Sequence, residues 1–172
     1  MTGMVSGLMR EIIPISLTAE AFAPYGDVIE ASARARVLAI NYGQTSRFHD
    51  LAGVDVADGG GHAIVSIFRG RPLEPPVLKV FERHPLGSQA FVPLSGRPYL
   101  AAVAPPGDFD PTKLVVFLAR PGQGVNYAKG TWHHFLLALE AESDFLVIDR
   151  EGPGENLDEI ELAPADQVMV RL

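Results

Sequence analysis

The sequence contains no cysteine, and this absence removes several kinds of site at once. Disulfide bonds, thiolate metal ligands and cysteine nucleophiles are all excluded. Any metal site in this chain must therefore use histidine, carboxylate or amide side chains.

Positive charge is also scarce, and no long apolar run is present. Lysine and arginine total 14 against 21 aspartate and glutamate residues, a net charge of −7. A nucleic-acid-binding protein would present a basic face and a membrane-surface protein a basic cluster, so we expect neither partner. Residues Met1–Arg10 lack the apolar run of a signal peptide, and no later stretch is long enough to span a bilayer. The sequence therefore predicts a cytoplasmic protein.

The size and composition fit one globular domain. The chain has 172 residues, of which 47% are hydrophobic and 20% charged. These values are typical of a chain that buries a core, and two domains of half this length would each be small. We expect residues 1–172 to form a single domain, with residues 1–9 disordered.

Frequent glycine and proline residues divide the sequence into short apolar segments, which indicates strands. One short helix is predicted at Ala19–Ala23, with Thr18 as its N-cap. The predicted strands are Asp27–Glu30, Val37–Asn41, Arg47–Leu51, His62–Arg69, Val77–His84, Gln89–Leu94, Tyr99–Ala104, Leu114–Arg120, Val125–Tyr127, Trp132–Leu139 and Phe145–Arg150. The tail after Arg150 is predicted to form an edge strand or to cover an opening. About ten short strands predict an all-β sandwich or jelly-roll barrel with a short N-terminal helix.

Strand alternation places polar side chains among apolar ones. Within Val77–His84, residues two apart share a face, so Glu82 and His84 lie with Leu78 and Val80. The same rule places His133 on a face with Phe135, Leu137 and Leu139. Imidazoles in such positions are expected inside a barrel, where burial raises the pKa of a carboxylate such as Glu82 unless a metal or an imidazolium offsets it.

Two motifs combine these residues. The first is Glu82-x-His84-x4-Gln89-x6-Gly96, and the second is Gly122-x5-Ala128-x-Gly130-x2-His133. Their spacing resembles the two-part motif of cupins, in which neighbouring strands and one distant strand supply nitrogen and oxygen ligands to a metal. The alternative is a metal-free barrel whose histidines make internal hydrogen bonds.

Longer segments give a more specific resemblance. They are Ala21-Phe22-x2-Tyr25-Gly26-Asp27-Val28-Ile29-Glu30, Ile40-Asn41-x-Gly43, Arg47-Phe48-His49-Asp50-Leu51, Glu82-Arg83-His84-Pro85-Leu86-Gly87-Ser88-Gln89-Ala90-Phe91, Gly124-Val125-Asn126-Tyr127, Trp132-His133-His134 and Phe145-Leu146-x-Ile148-Asp149-Arg150. With these segments, the chain is similar to the ureidoglycolate lyase family from about Ile13 onward. It departs from the family at Ala128, where a histidine is usual, at Lys129, where arginine is usual, and at Phe135 in place of a proline.

The resemblance implies a cupin-like jelly-roll that cleaves (S)-ureidoglycolate to glyoxylate and urea in allantoin and purine catabolism. It implies catalytic roles for Glu82, His84 and His133, with a divalent metal, nickel in this family, held by His84, Gln89 and His133. Tyr127 and Lys129 are the predicted substrate-binding residues. No organic cofactor is expected, and the resemblance implies a homodimer.

Other possibilities stay open at the level of the sequence. The chain could be a different metal-dependent cupin enzyme, such as an isomerase or oxygenase, or a non-catalytic cupin that binds a small molecule. Arg47 and His49 share a face of their predicted strand, either as a solvated edge or as part of the site. His62 and His134 are expected to be structural or exposed.

Overall fold

Short strands dominate the computed structural model, which describes residues 9–172. The one α-helix, α1, comprises Ala19–Phe22. The strands are β1 Arg10–Ile12, β2 Ile15–Ser16, β3 Gly26–Ile29, β4 Arg36–Ile40, β5 Thr45–His49, β6 His62–Gly70, β7 Val77–Leu78, β8 Val80–Arg83, β9 Gln89–Pro93, β10 Tyr99–Ala104, β11 Val115–Ala119, β12 Gly124–Tyr127, β13 Trp132–His133, β14 Leu137–Ala138, β15 Ser143–Glu151, β16 Asp158–Glu161 and β17 Val168–Val170. Short 3-10 turns lie at Asn41–Gly43, Asp58–Gly60 and Pro111–Lys113. The predicted all-β fold with a short N-terminal helix is confirmed.

The helix forms where local sequence signals place it. The Thr18 side chain accepts a hydrogen bond from the backbone N–H of Ala21 at 3.2 Å, which satisfies a donor that the first turn leaves free. The helix ends at Phe22, one residue earlier than predicted, and the Phe22 ring is fully buried. Membrane-spanning helices, long and apolar enough to cross a bilayer, are not found in the described part of the chain.

Four sheets make up the fold. One has seven strands in the order β16-β8-β13-β10-β11-β2 with β14 on β10, and a second has the order β3-β12-β9-β15-β6. A third has the order β1-β17-β7, and β4 and β5 form a separate hairpin. These layers fit a jelly-roll, although no closed barrel is detected within residues 9–172.

The seven-stranded sheet is covered on both faces. Its strand β10 is buried along its whole length, and alternate residues belong to two different cores. Tyr99 and Val103 join the inner core, which lies against the five-stranded sheet and includes Phe91 and Val125. Leu100 and its even-numbered neighbours join the outer core, which lies against the three-stranded sheet. Because both faces of β10 are covered, its sequence is continuously apolar instead of alternating.

Two breaks in the strands change the predicted alternation. The chain leaves one sheet and enters another at Lys79, whose carbonyl oxygen accepts a hydrogen bond from Leu162 at 2.7 Å. Leu78 consequently packs with Phe81 in the outer core, so its predicted place on the face of Glu82 is wrong. The predicted strand Trp132–Leu139 is also divided, into β13 and β14. For that reason Leu137 lies in the outer core and does not share a face with His133.

The tail contributes two strands. Strand β16 pairs with β8 at the edge of the seven-stranded sheet, and β17 lies between β1 and β7. The prediction of an edge strand in the tail is confirmed for β16. The predicted disorder of residues 1–9 concerns a segment of which all but Met9 lies outside the described residues.

Candidate metal centre and active site

Glu82, His84 and His133 converge on one point. Strands β8 and β13 pair so that Glu82 lies directly opposite His133. Glu82 Oε1 is 3.4 Å from His133 Nε2 and 3.7 Å from His84 Nε2. One potential ligand atom from each residue lies within 4.8 Å of the others, a separation that a single metal ion can bridge.

Backbone carbonyl groups orient both imidazole rings. His84 Nδ1 lies 2.8 Å from the carbonyl oxygen of Asn156, and His133 Nδ1 lies 3.1 Å from that of Thr131. Because a carbonyl oxygen can only accept, each Nδ1 donates, and each Nε2 faces the shared point. His84 Nε2 is buried and has no hydrogen-bond partner among the described residues. A carbonyl-anchored Nδ1 with an unpartnered Nε2, as at His84, is the arrangement of metal-binding histidines, so this cluster fits a metal ion.

Gln89 reaches the same point from the facing sheet. It begins β9, and its Oε1 lies 3.2 Å from His133 Nε2. Its Nε2 donates a hydrogen bond of 3.2 Å to Asp149 Oδ2 on the neighbouring strand β15. Gln89 therefore contacts His133, which clusters with His84 and Glu82, so the three predicted ligands lie together with the carboxylate of Glu82.

Tyr127 covers one side of the cluster. Its ring is stacked on that of His133, with centroids 4.3 Å apart and planes 9° apart. Burial, followed by the nearby negative charge of Glu82, raises the pKa of the Tyr127 phenol far above its usual value. The phenol is therefore a neutral hydrogen-bonding group and cannot act as a phenolate.

The two imidazoles determine the ionisation of Glu82. The imidazoles of His133 and His84, whose Nε2 atoms lie 3.4 Å and 3.7 Å from Glu82 Oε1, lower the pKa of Glu82 far below its usual range and outweigh the opposing effect of burial. For His84, burial lowers the pKa, but the nearby Glu82 carboxylate, the hydrogen bond to the Asn156 carbonyl and the nearby Gln89 amide outweigh it, and the net change raises the pKa. The expected rise of the Glu82 pKa on burial is therefore offset by the neighbouring imidazoles, and Glu82 is a carboxylate at neutral pH.

A pocket of about 380 Å³ opens onto Glu82 and His133. Its walls include the rings of Phe91 and Phe135 and the arginines Arg69 and Arg71. This volume suits a small molecule, and an apolar wall with a few converging polar groups is typical of such sites. The arginines sit at the mouth, where Arg69 pairs with Asp144 and Arg71 with Glu142.

Lys129, predicted to bind substrate, makes two ion pairs instead of lining this pocket. Its Nζ lies 2.5 Å from Asp58 and 3.1 Å from Asp55. These carboxylates, Asp58 first, raise the pKa of Lys129. The lysine therefore ties the 55–58 loop to the turn that precedes β13.

The other histidines lie elsewhere. Arg47 and His49 belong to the β4–β5 hairpin, and His49 lines a separate cavity of about 700 Å³ at its base. His62 is exposed and lies 3.7 Å from Glu151. His134 is buried against Phe81 in the outer core, as expected for a structural residue.

Sequence reasoning missed three contributors to the site. Asp149 holds Gln89, Asn156 holds His84, and Arg71 lines the pocket mouth. Asp149 falls within one of the segments that carry the family resemblance, which is the signal that could have found it. Asn156 and Arg71 lie in loop-like sequence with no periodicity to mark them.

An all-β jelly-roll with two imidazoles and a carboxylate below a small pocket defines a cupin-type candidate metalloenzyme. A sequence model described as ureidoglycolate lyase matches residues 9–170, and the chain therefore belongs to the ureidoglycolate lyase family. Members of this family are enzymes, so this chain is an enzyme of the lyase class.

Individual relatives agree with this assignment. The ureidoglycolate lyase of Burkholderia mallei (strain NCTC 10229) is 58% identical over 144 residues, which cover 83% of this chain and 84% of that protein. The ureidoglycolate lyase of Pseudomonas entomophila (strain L48) is 49% identical over 164 residues, 94% of this chain and 97% of its own. One solved structure that resembles this chain is the TDP-quinovose 3,4-ketoisomerase WlaRB of Campylobacter jejuni. The match includes 70% of this chain and 83% of that protein, with a sequence identity of 14% and a TM-score of 0.36. That likeness is too weak to support any argument.

Proposed function

We propose that this chain is a ureidoglycolate lyase that cleaves (S)-ureidoglycolate to glyoxylate and urea, a step of purine breakdown through allantoin. The observation that carries the proposal is the cluster of Glu82, His84 and His133, two of which, Glu82 and His133, line a pocket that Arg69 and Arg71 also line. This cluster occurs in a chain that matches the family over residues 9–170.

The substrate chemistry defines what the site has to supply. Ureidoglycolate carries a carboxylate, a hydroxyl and a ureido nitrogen on one carbon. When the hydroxyl loses its proton, its electrons form the carbonyl of glyoxylate, the carbon–nitrogen bond breaks, and the nitrogen takes up a proton to give urea. The site must therefore accept one proton, donate one proton and bind a carboxylate.

Glu82 is the proposed proton acceptor. It is held as a carboxylate between two imidazoles and lines the pocket, so its oxygen can reach a bound hydroxyl. In a metal-free reaction, His84 and His133 are the proposed proton donors to the departing nitrogen. In a metal-assisted reaction the same imidazoles are ligands. Acceptance of the hydroxyl proton by Glu82 is common to both versions.

A divalent metal is proposed at His84, Gln89 and His133, with nickel the candidate by family resemblance. The buried, unpartnered Nε2 of His84 supports the proposal, because a metal would satisfy it. Such an ion supplies Lewis-acid polarisation of substrate oxygens. No organic cofactor is proposed.

For the substrate carboxylate, the pocket favours arginine over Lys129. Arg69 and Arg71 line the pocket and each also pairs with a carboxylate, whereas Lys129 does not line the pocket and pairs with two carboxylates. A guanidinium also matches a carboxylate in a bidentate manner. We therefore propose that Arg71, whose side chain is 84% exposed, binds the carboxylate, with the Tyr127 hydroxyl as a further substrate contact.

A homodimer is proposed as the assembly. The β4–β5 hairpin presents Val37, Ile40, Tyr42 and Phe48 to solvent, and an exposed apolar patch is typical of a protein–protein contact. Light scattering is expected to give twice the chain mass for the wild type and the chain mass for a V37D/F48D variant. A monomeric wild type would contradict the proposal. Location in the cytoplasm stays a prediction.

The decisive experiment follows both nitrogen products from ureidoglycolate. Because cleavage of the carbon–nitrogen bond leaves the ureido carbonyl intact, we expect one urea per glyoxylate and no ammonia. Stoichiometric ammonia without urea would identify an amidohydrolase. Absence of any product with the metal-loaded protein would favour another cupin enzyme or a non-catalytic binding protein.

A further inference from the structure

Gln89 and Asp149 lie side by side on the inner face of the five-stranded sheet. Strands β9 and β15 pair with Ala90 opposite Ile148, so the next antiparallel pair in this register is Gln89 and Asp149. Both side chains therefore point to the same face, toward His133. The contacts form one line, from Asp149 Oδ2 to Gln89 Nε2 at 3.2 Å and from Gln89 Oε1 to His133 Nε2 at 3.2 Å.

The Asp149 end of this line favours one orientation of the Gln89 amide. A carboxylate oxygen can accept a hydrogen bond but cannot donate one, so the NH₂ end of Gln89 has to face Asp149. The carbonyl end then faces the two histidines. The reversed amide would place its carbonyl oxygen against the Asp149 carboxylate and its NH₂ against the ring nitrogen that His133 offers to a metal.

We propose that Asp149 is a positioning residue that fixes the Gln89 amide with its carbonyl oxygen, and not its NH₂ group, toward the metal-binding cluster. The proposal rests on the proposed function in one respect, since it treats His84, Gln89 and His133 as metal ligands. An amide needs such a partner because only one of its ends can bind a cation. A carboxylate at position 89 would present oxygen in either orientation.

The surroundings of Asp149 support a positioning role over one in stability. Its second oxygen, Oδ1, is buried and has no hydrogen-bond partner among the described residues. A buried acceptor without a partner destabilises the folded state, and an apolar residue of similar size would remove that cost, which offsets part of the cost of leaving the Gln89 NH₂ group without its acceptor. What an apolar residue cannot supply is the acceptor that holds the Gln89 NH₂ group.

The first test reads the amide orientation in metal-free protein by NMR. The side-chain NH₂ signals of Gln89 are assigned by their loss in Gln89→Leu. In the wild type we expect nuclear Overhauser contacts from these protons to the β protons of Asp149 and none to the ring of His133. In Asp149→Leu, contacts to the His133 ring are expected to appear because both orientations become populated. An unchanged position and contact pattern of the amide in Asp149→Leu would overturn the proposal.

The second test measures Ni²⁺ affinity by calorimetry. Removal of a residue that orients a ligand typically weakens metal binding by about 10- to 100-fold, and we expect a loss in this range for Asp149→Leu. Asp149→Asn is expected to recover much of it, because its amide oxygen can accept the same hydrogen bond. Glu151→Leu, which removes an exposed carboxylate from the same strand, is the control and is expected to have no effect.

A double-mutant cycle separates positioning from the charge of Asp149. In a Gln89→Leu background, Asp149→Leu is expected to cause no further loss of affinity, because the group that it positions is absent. An equal loss in both backgrounds would overturn the proposal. If Asp149→Leu does not fold, Asp149→Ala, which adds no bulk, replaces it. A wild type that binds no Ni²⁺ would refute the proposed metal, while the NMR contacts would still decide the role of Asp149.

Discussion

The ring of Tyr127 lies flat against the ring of His133, with centroids 4.3 Å apart. The stack joins the five-stranded sheet to the seven-stranded one across the inner core. We expect Tyr127→Phe to keep the stack and to lose only the hydroxyl. If that hydroxyl binds substrate, KM should rise by about 3- to 10-fold, the equivalent of one neutral hydrogen bond, with little change in kcat.

Tyr127→Leu is the companion variant, because it removes the stacked ring as well. A large-to-small change in a core destabilises by about 2–5 kcal/mol, so the melting temperature should fall for Tyr127→Leu and not for Tyr127→Phe. Steady-state kinetics and thermal unfolding of both variants check this. Equal KM values for Tyr127→Phe and the wild type would show that the hydroxyl does not contact the substrate.

Removal of either imidazole is expected to abolish metal binding without unfolding the protein. His84→Ala and His133→Ala each delete one ligand of the cluster, so both should lose bound nickel and metal-dependent activity. Elemental analysis after nickel loading and dialysis provides the measurement, with circular dichroism to check the fold. His62→Ala is the control, because His62 is exposed, pairs with Glu151 and is not a member of the cluster. Equal metal content in the wild type and the three variants would indicate that His84 and His133 make hydrogen bonds and do not bind a metal.

Glu82→Gln should slow the chemical step. The substitution keeps size and hydrogen bonding but removes the charge and the proton acceptor. We expect kcat to fall by about 10²-fold or more with little change in KM, the scale typical of a lost general acid or base. A Gln variant that turns over at nearly the wild-type rate across the pH range would make Glu82 structural.

Arg71→Met and Lys129→Met distinguish two candidate binding sites for the substrate carboxylate. Arg71 lines the pocket, whereas Lys129 is held by Asp55 and Asp58. We expect Arg71→Met to raise KM by about tenfold, the loss of one charge-assisted contact, and Lys129→Met to leave KM within about twofold. A larger rise in KM for Lys129→Met than for Arg71→Met would indicate that Lys129 binds the substrate carboxylate.

Stability should depend on pH through His134. Burial lowers the pKa of His134 from 6.5 to about 4, and neighbouring His133 and Glu82 affect it less. Between these values the unfolded chain binds a proton that the folded chain does not, so stability falls as the pH is lowered from 6.5 toward 4. The full effect is about 3 kcal/mol, from 1.36 kcal/mol per pKa unit.

The measurement is urea unfolding of chelator-treated protein at several pH values in that window. The lowered pKa of Glu82 changes stability only below about pH 4.5, and the raised pKa of His84 changes it only above about pH 6.5. Neither group therefore dominates the change in stability between pH 4 and 6.5. His134→Gln, which cannot be protonated, should flatten the slope. A slope that is the same in both proteins would assign it to other groups.

The sequence predicts the features that depend on near neighbours. Residues a few positions apart determine that Thr18 caps the helix, that Glu82 lies in β8 and that His133 lies at the end of β13. The place of Leu78 could not be predicted, because the break at Lys79 depends on pairing with the distant tail. In the same way, Asn156 contacts the ring of His84, which lies 72 positions earlier in the chain. Asp149 contacts the amide of Gln89, which lies 60 positions earlier. No local pattern marks contacts of that kind.

The bond between His84 and the Asn156 carbonyl has a consequence for synthesis of the chain. Glu82, His84 and His133 are all synthesised before Asn156, yet the ring of His84 has no carbonyl to hold it until the tail pairs along β8. A chain that is still being translated therefore carries the reactive groups without their final geometry. We expect the chain to become competent to bind the proposed metal only as its last strands are added, so truncated products of early termination should be inactive.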